Sequence, residues 1–234
     1  MYLCVSDGCL VVLSAETAIC NGLYWEISVR EKKEIDNETT SQFLTNEEVQ
    51  KRLDDLKNTY SSGKFWNHDP NEPNNPASVT NTPCTHDHDS YNGDCNVETG
   101  SCGCNYFGGG IQCYGFAMYM AFLTFGSYPD RKNAENKADP TDFGNGWKKY
   151  SADAMTQIEF EPGDIIRSGK HSAIVYSFDK TNEHLIVGEC WGNPQNLAAR
   201  CRIAWGAFNY EWTLSTVLEN MEYVFKAPKK VSVD

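Results

Sequence analysis

The sequence predicts an α+β fold, with helices early in the chain and a segregated antiparallel sheet of about five strands after them. Three observations predict it. Apolar residues recur at helical spacing after Thr45 and again after Ile111. From Glu161 onward the chain turns into short apolar runs divided by Gly, Pro and Asn. No internal repeat interrupts this order.

Residues 1–40 show no clear period. Cys9–Ala18 (CLVVLSAETA) reads either as the end of a signal peptide or as an ordinary first strand, and EKKEIDNETT reads as a solvated linker. The first helix opens at Thr45, which forms a capping box with Glu48. Val49, Leu53, Leu56 and Tyr60 follow as its apolar stripe, and SSGK ends it. The stretch 64–110 holds Pro, Asn, Gly and Asp too densely for regular structure. A loop of that length is usually functional or pinned by crosslinks. A second helix begins near Gln112. Cys113, Phe116, Ala117, Met120, Ala121 and Thr124 share one side of it, and Gly126 is its C-cap. SYPDRKNAENKADPTDFGNGWKKY is a polar connection. The strands are IIR, HSAIVYSF, HLIVGECW, RCRIAWG and MEYVFKA, with a short helix, TLSTVLEN, between the last two. The chain thus divides into an extension over 1–40, a helix and Cys-rich loop over 41–110 that pack on the core, and the core itself over 111–234.

Bulk composition narrows the function. Forty per cent apolar residues, 12% of the chain aromatic, suffice for a core across 234 residues. A net charge of −12 repels phosphate backbones and excludes nucleic acid as a partner. It also argues against electrostatic binding to anionic membranes or wall polymers. No apolar run reaches the roughly 20 residues of a membrane-spanning helix. Ten cysteines point to an oxidising compartment, hence a secreted or cell-surface protein.

The chemistry centres on Cys113. A thiol at a helix N-terminus feels the positive end of the aligned peptides, which favours the thiolate. The glycines before it let the backbone come close to a substrate. The plainer reading is a core or crosslinked cysteine. A nucleophilic cysteine needs a base and a group that orients the base. His171 starts a strand and shares a face with Ala173 and Val175. If that face points at the helix start, His171 is the base. Glu189 lies at an otherwise apolar strand position, which is costly unless the carboxylate is paired, with His171 or with a cation. Asn193 is the alternative orienting residue. Trp191 lines a substrate groove or joins the core with Trp66 and Trp205.

Other cysteines read as staples. Cys190 and Cys201 bracket a strand–turn–strand, and a disulfide there would contribute ~2–3 kcal/mol; two core thiols are the alternative. Cys84, Cys95, Cys102 and Cys104 read as two disulfides of open pairing or, with His86 or His88, as a zinc site whose spacing is poor. The overall reading calls for no metal and no cofactor.

Gln-Cys-x-Gly-Phe-Ala at 112–117, Pro-Gly-Asp-Ile-Ile at 162–166, Gly-x-His-Ser-Ala-Ile-Val at 169–175 and Glu-Cys-Trp at 189–191 together resemble the papain-like CHAP and NlpC-type superfamily of cysteine amidohydrolases and peptidases. The resemblance covers about half of the chain, 108–227. It implies a papain-like core with a nucleophile helix packed on the sheet. It implies Cys113 as nucleophile, His171 as base and Glu189 as third member. The Cys113 N–H and Gln112 would hold the oxyanion. The implied substrate is a peptide or a peptidoglycan amide, cleaved through an acyl-enzyme. A disulfide-stapled binding module on an inactive scaffold of the same kind is the competing reading, and acyl transfer is a third.

Overall fold

The computed structural model describes residues 2–6, 9–13, 43–67, 75–83, 105–130, 140–154, 159–169, 171–191, 201–206 and 212–229. The chain forms two compact units, Met1–Ser41 and Gln42–Asp234. In the first, β1 (Tyr2–Ser6) pairs antiparallel with β2 (Cys9–Leu13), Ser6 opposite Cys9. Asp7-Gly8 lies between them in the sequence, a dipeptide typical of hairpins. Of the two readings of Cys9–Ala18, strand holds for Cys9–Leu13.

The second unit is α+β. Helix α1 (Asn46–Thr59) starts with the expected capping box: Thr45 Oγ1 accepts from the Glu48 N–H, and the Glu48 carboxylate accepts from the Thr45 N–H. Val49 and Leu53 are fully buried against α2 (Gln112–Phe125), and Tyr60 joins the same cluster. Arg52 donates to the Thr124 carbonyl 2.5 Å away, placing a cation at the carbonyl end of α2. Gly126 caps α2 in the left-handed region at φ 71°, as expected. The helix is not buried on one side alone. Residues 115–121 are all buried, so the sheet, α1 and the following loop together enclose its middle.

The sheet has six strands in the order β5-β10-β6-β7-β8-β9, all neighbours antiparallel. Five are the expected ones: β6 (Ile165–Ser168), β7 (His171–Asp179), β8 (His184–Trp191), β9 (Arg202–Trp205) and β10 (Met221–Lys226). The sixth, β5 (Lys148–Tyr150), lies at the edge beside β10 in the segment read as a polar connection. Two lysines in three residues hide its strand character and suit an edge position.

Alternation divides the sheet into two faces. Ile165, Ile174, Cys190, Ile203 and Phe225 pack with α2. Ile166, Ala173, Val175, Leu185, Val187 and Val224 form a second layer with Trp212 and Val217 of α3 (Leu214–Asn220). The turn that starts β6 fits beneath α2. Gly163 has φ 91°, and a Cβ there would meet the Phe125 ring at 2.5 Å. Asp164 is fully buried and accepts from the Glu161 N–H, the Ala227 N–H and Lys226 Nζ, tying β6 to the end of β10.

Cys190 and Cys201 are not joined. Both are buried thiols hydrogen-bonded to each other in the α2-side cluster. Ile203 sits across from Cys190, and Cys201 precedes β9 on a left-handed residue at φ 57°. No helix among the described residues is long and apolar enough to cross a membrane. Cys84, Cys95, Cys102, Cys104, His86, His88 and Asn193 lie outside the described residues.

Candidate active site

The site begins with a hairpin. Strands β3 (Tyr106–Phe107) and β4 (Gly110–Ile111) flank Gly108 and Gly109, whose φ values of 59° and 86° fit a two-residue turn. Gly110 packs under the Tyr114 ring, where a Cβ would lie 2.5 Å from the ring edge. Gly115 faces the same hairpin, and a Cβ there would sit 2.3 Å from the Gly110 carbonyl oxygen. These glycines therefore bring the hairpin onto the helix. This seating of the hairpin is a role that the sequence did not suggest.

Helix α2 leaves this hairpin at Gln112, with no side chain capping Ile111. Its first N–H groups have no partner within the helix. Gln112 takes φ 51°, a left-handed strain uncommon for a residue with a Cβ. Cys113 follows as the next helical residue and is half-buried.

His171 and Glu189 come from neighbouring strands. Ala173 lies directly opposite Glu189, so His171 is diagonal to the carboxylate on the same face. His171 Nε2 lies 2.7 Å from Glu189 Oε2. Glu189 is fully buried, and its other oxygen, Oε1, has no hydrogen-bond partner among the described residues. The carboxylate is thus committed to the imidazole. With Nε2 engaged, Nδ1 is the nitrogen left for the thiol, and Cys113 and His171 are hydrogen-bonded.

The three residues meet by a route the sequence did not suggest. The His171–Ala173–Val175 row faces the α3 layer, while α2 lies on the opposite face with Ile174. They meet because His171 is the first residue of β7, at the strand's end, where the sheet no longer separates its faces. There the Ser172 N–H also donates to the Cys113 sulfur.

Electrostatics favour the ion pair. Burial pushes the Cys113 thiol up, but the His171 hydrogen bond and charge, the Ser172 N–H and the Arg167 charge together hold it below its ordinary value. Burial pushes His171 down, but its bonds to Cys113 and Glu189 prevail and raise it to about 9. Both shifts run toward a thiolate beside an imidazolium, the pairing that arms a nucleophile and keeps a proton next to it. Cys190 behaves oppositely: burial, then its contact with Cys201, drives that thiol well up and leaves it inert.

Trp212 completes the site and was not singled out from the sequence. Its ring lies 6.1 Å from the His171 ring and is fully buried. The Trp212 carbonyl accepts from the Leu185 N–H, which docks this residue on β8. An apolar residue just before the Thr213 N-cap was the available signal. Trp66 and Trp205 are core residues, donating to the Pro76 and Tyr60 carbonyls. Trp191 is described only as strand backbone, at the end of β8.

Comparison with protein-family models, with curated proteins and with solved structures finds no match.

Proposed function

We propose that this protein is a secreted cysteine amidohydrolase or peptidase with a papain-like core. The observation that carries the reading is the continuous chain of hydrogen bonds from Cys113 through His171 to Glu189. In this reading the Cys113 thiolate attacks an amide carbonyl of a peptide or peptidoglycan substrate. The Cys113 N–H, with Gln112 beside it, supports the oxyanion. Protonated His171 gives its proton to the leaving amine. Water, activated by the neutral imidazole, then frees the acyl group. Glu189 holds the imidazole in place and stabilises its charged form.

The test is brief labelling of the unreduced protein with iodoacetamide near pH 6, followed by peptide mapping. An ordinary thiol, with a pKa of about 8.5, is almost wholly protonated there. Fast labelling at Cys113, with Cys190 and Cys201 untouched, is the expected result. Labelling of Cys113 no faster than a small free thiol at the same pH refutes the reading.

A further inference from the structure

Beside the nucleophile lies a cation whose hydrogen bond goes to Ser172 rather than to the triad. Arg167 is opposite Ser172 on β7 and opposite Tyr223 on β10, on the face that carries α2. Its Nη1 donates to Ser172 Oγ at 3.1 Å, and the N–H of that same Ser172 donates to the Cys113 sulfur. One residue thus links guanidinium and nucleophile. The remaining contact of Arg167 is loose: Nε lies 3.7 Å from Oε1 of Glu222, a side chain 47% exposed. A guanidinium has more donors than these two contacts use. The Arg167 side chain is 22% exposed, so it is shielded yet reachable.

The placement is notable in a chain of net charge −12, whose overall field repels anions. The Arg167 charge supports the Cys113 thiolate, but binding a neutral amide needs no cation with spare donors, whereas binding an anionic substrate does. Arginine's planar fork matches a carboxylate by paired hydrogen bonds. We infer that Arg167 is a specificity-determining residue that binds a carboxylate adjacent to the scissile amide, so that the substrate is an acidic peptide. This rests on the reading of Cys113 as the nucleophile. The carboxylate belongs either to a free chain terminus or to an acidic side chain.

Two alkylating agents separate this inference from the one beneath it. Iodoacetate and iodoacetamide react with Cys113 by the same step: the thiolate attacks the methylene carbon, a C–S bond forms and iodide leaves. They differ in carrying a carboxylate or a carboxamide. Their rate ratio cancels the thiolate fraction and any general loss of structure. In Arg167→Gln the iodoacetate-to-iodoacetamide ratio should fall about fivefold or more from that of the unsubstituted protein. Arg167→Lys should restore part of it. An unchanged ratio in Arg167→Gln overturns the carboxylate subsite while leaving the nucleophile intact. Failure of both reagents to label Cys113 in the unsubstituted protein overturns the nucleophile, and the subsite with it.

A second measurement needs no variant. Acetyl-alanyl-alanine, with a free carboxylate, should slow iodoacetamide labelling of the unsubstituted protein more than its carboxamide does, if the carboxylate is terminal. Acetyl-glutamyl-alaninamide should do so if it is a side chain. Equal protection by acids and amides overturns the subsite.

Discussion

At the residue scale, the central fact is a buried carboxylate spent on one imidazole. Glu189 has no exposure and a single hydrogen-bonding oxygen in use, so its charge is worth most when His171 is protonated. This fixes the sign of a pH effect. Glu189→Gln weakens the imidazolium, which in turn supports the Cys113 thiolate less, so the thiol pKa rises. Labelling of Cys113 at pH 6 should slow about tenfold, its pH midpoint moving up about one unit. Rates measured from pH 5 to 9 check this, and an unmoved midpoint contradicts it. In the proposed hydrolysis the imidazolium would protonate the leaving amine, so turnover should fall as pH rises through about 9, where His171 loses its proton. His171 and Glu189 were legible from the sequence because a carboxylate in an apolar strand needs a partner. Arg167 and Trp212 were not, since each owes its place to strand register or to docking on β8.

At the element scale, α2 and its leading hairpin form one unit that aims the thiol. Gly115 has no room for a methyl group, with Gly110 carbonyl oxygen 2.3 Å and the Trp66 ring 3.0 Å from the position of a Cβ. Gly115→Ala should therefore cost about 1–3 kcal/mol by urea denaturation and slow Cys113 labelling, because the hairpin must lift from the helix. Gly109 has open space around it but φ 86°. Gly109→Ala should cost about 1–2 kcal/mol through backbone strain, with a smaller effect on labelling. Both helices and their caps could be read from the sequence, since Thr45, Glu48 and Gly126 act within a turn or so of their own position. The lysine-rich edge strand β5 could not, because its pairing partner lies near the other end of the chain.

For the unit Gln42–Asp234 as a whole, the sheet is closed by its last strand. β10 inserts between β5 and β6, and Asp164 is the buried anchor of that closure, with Lys226 at 2.5 Å. Lys226→Met leaves a buried carboxylate without its nearest cation and should cost about 3–5 kcal/mol at pH 7. Burial already raises Asp164 above its ordinary value. Loss of Lys226 raises it further, and a carboxyl so raised destabilises the fold as pH rises through its folded value. The deficit should hence shrink as pH falls toward the ordinary carboxylate range, and adding Asp164→Asn should recover part of it. Urea denaturation at pH 4 and pH 7 tests both statements; equal deficits at the two values would contradict the account.

The sequence by itself determined what is local or periodic. It carried the α+β class, the two main helices, five of the six strands of the main sheet and the candidate trio of Cys113, His171 and Glu189, because capping, turn chemistry and alternation act over a few residues. Tertiary structure alone decided what depends on pairing between distant segments. It placed His171 at a strand end where α2 reaches it from the opposite face. It set Ile203 rather than Cys201 across from Cys190. It also fitted Gly110 and Gly115 together so that the hairpin seats on the helix. The physical reason is that register and packing are set by the whole sheet at once, and no residue carries that information in its immediate neighbours.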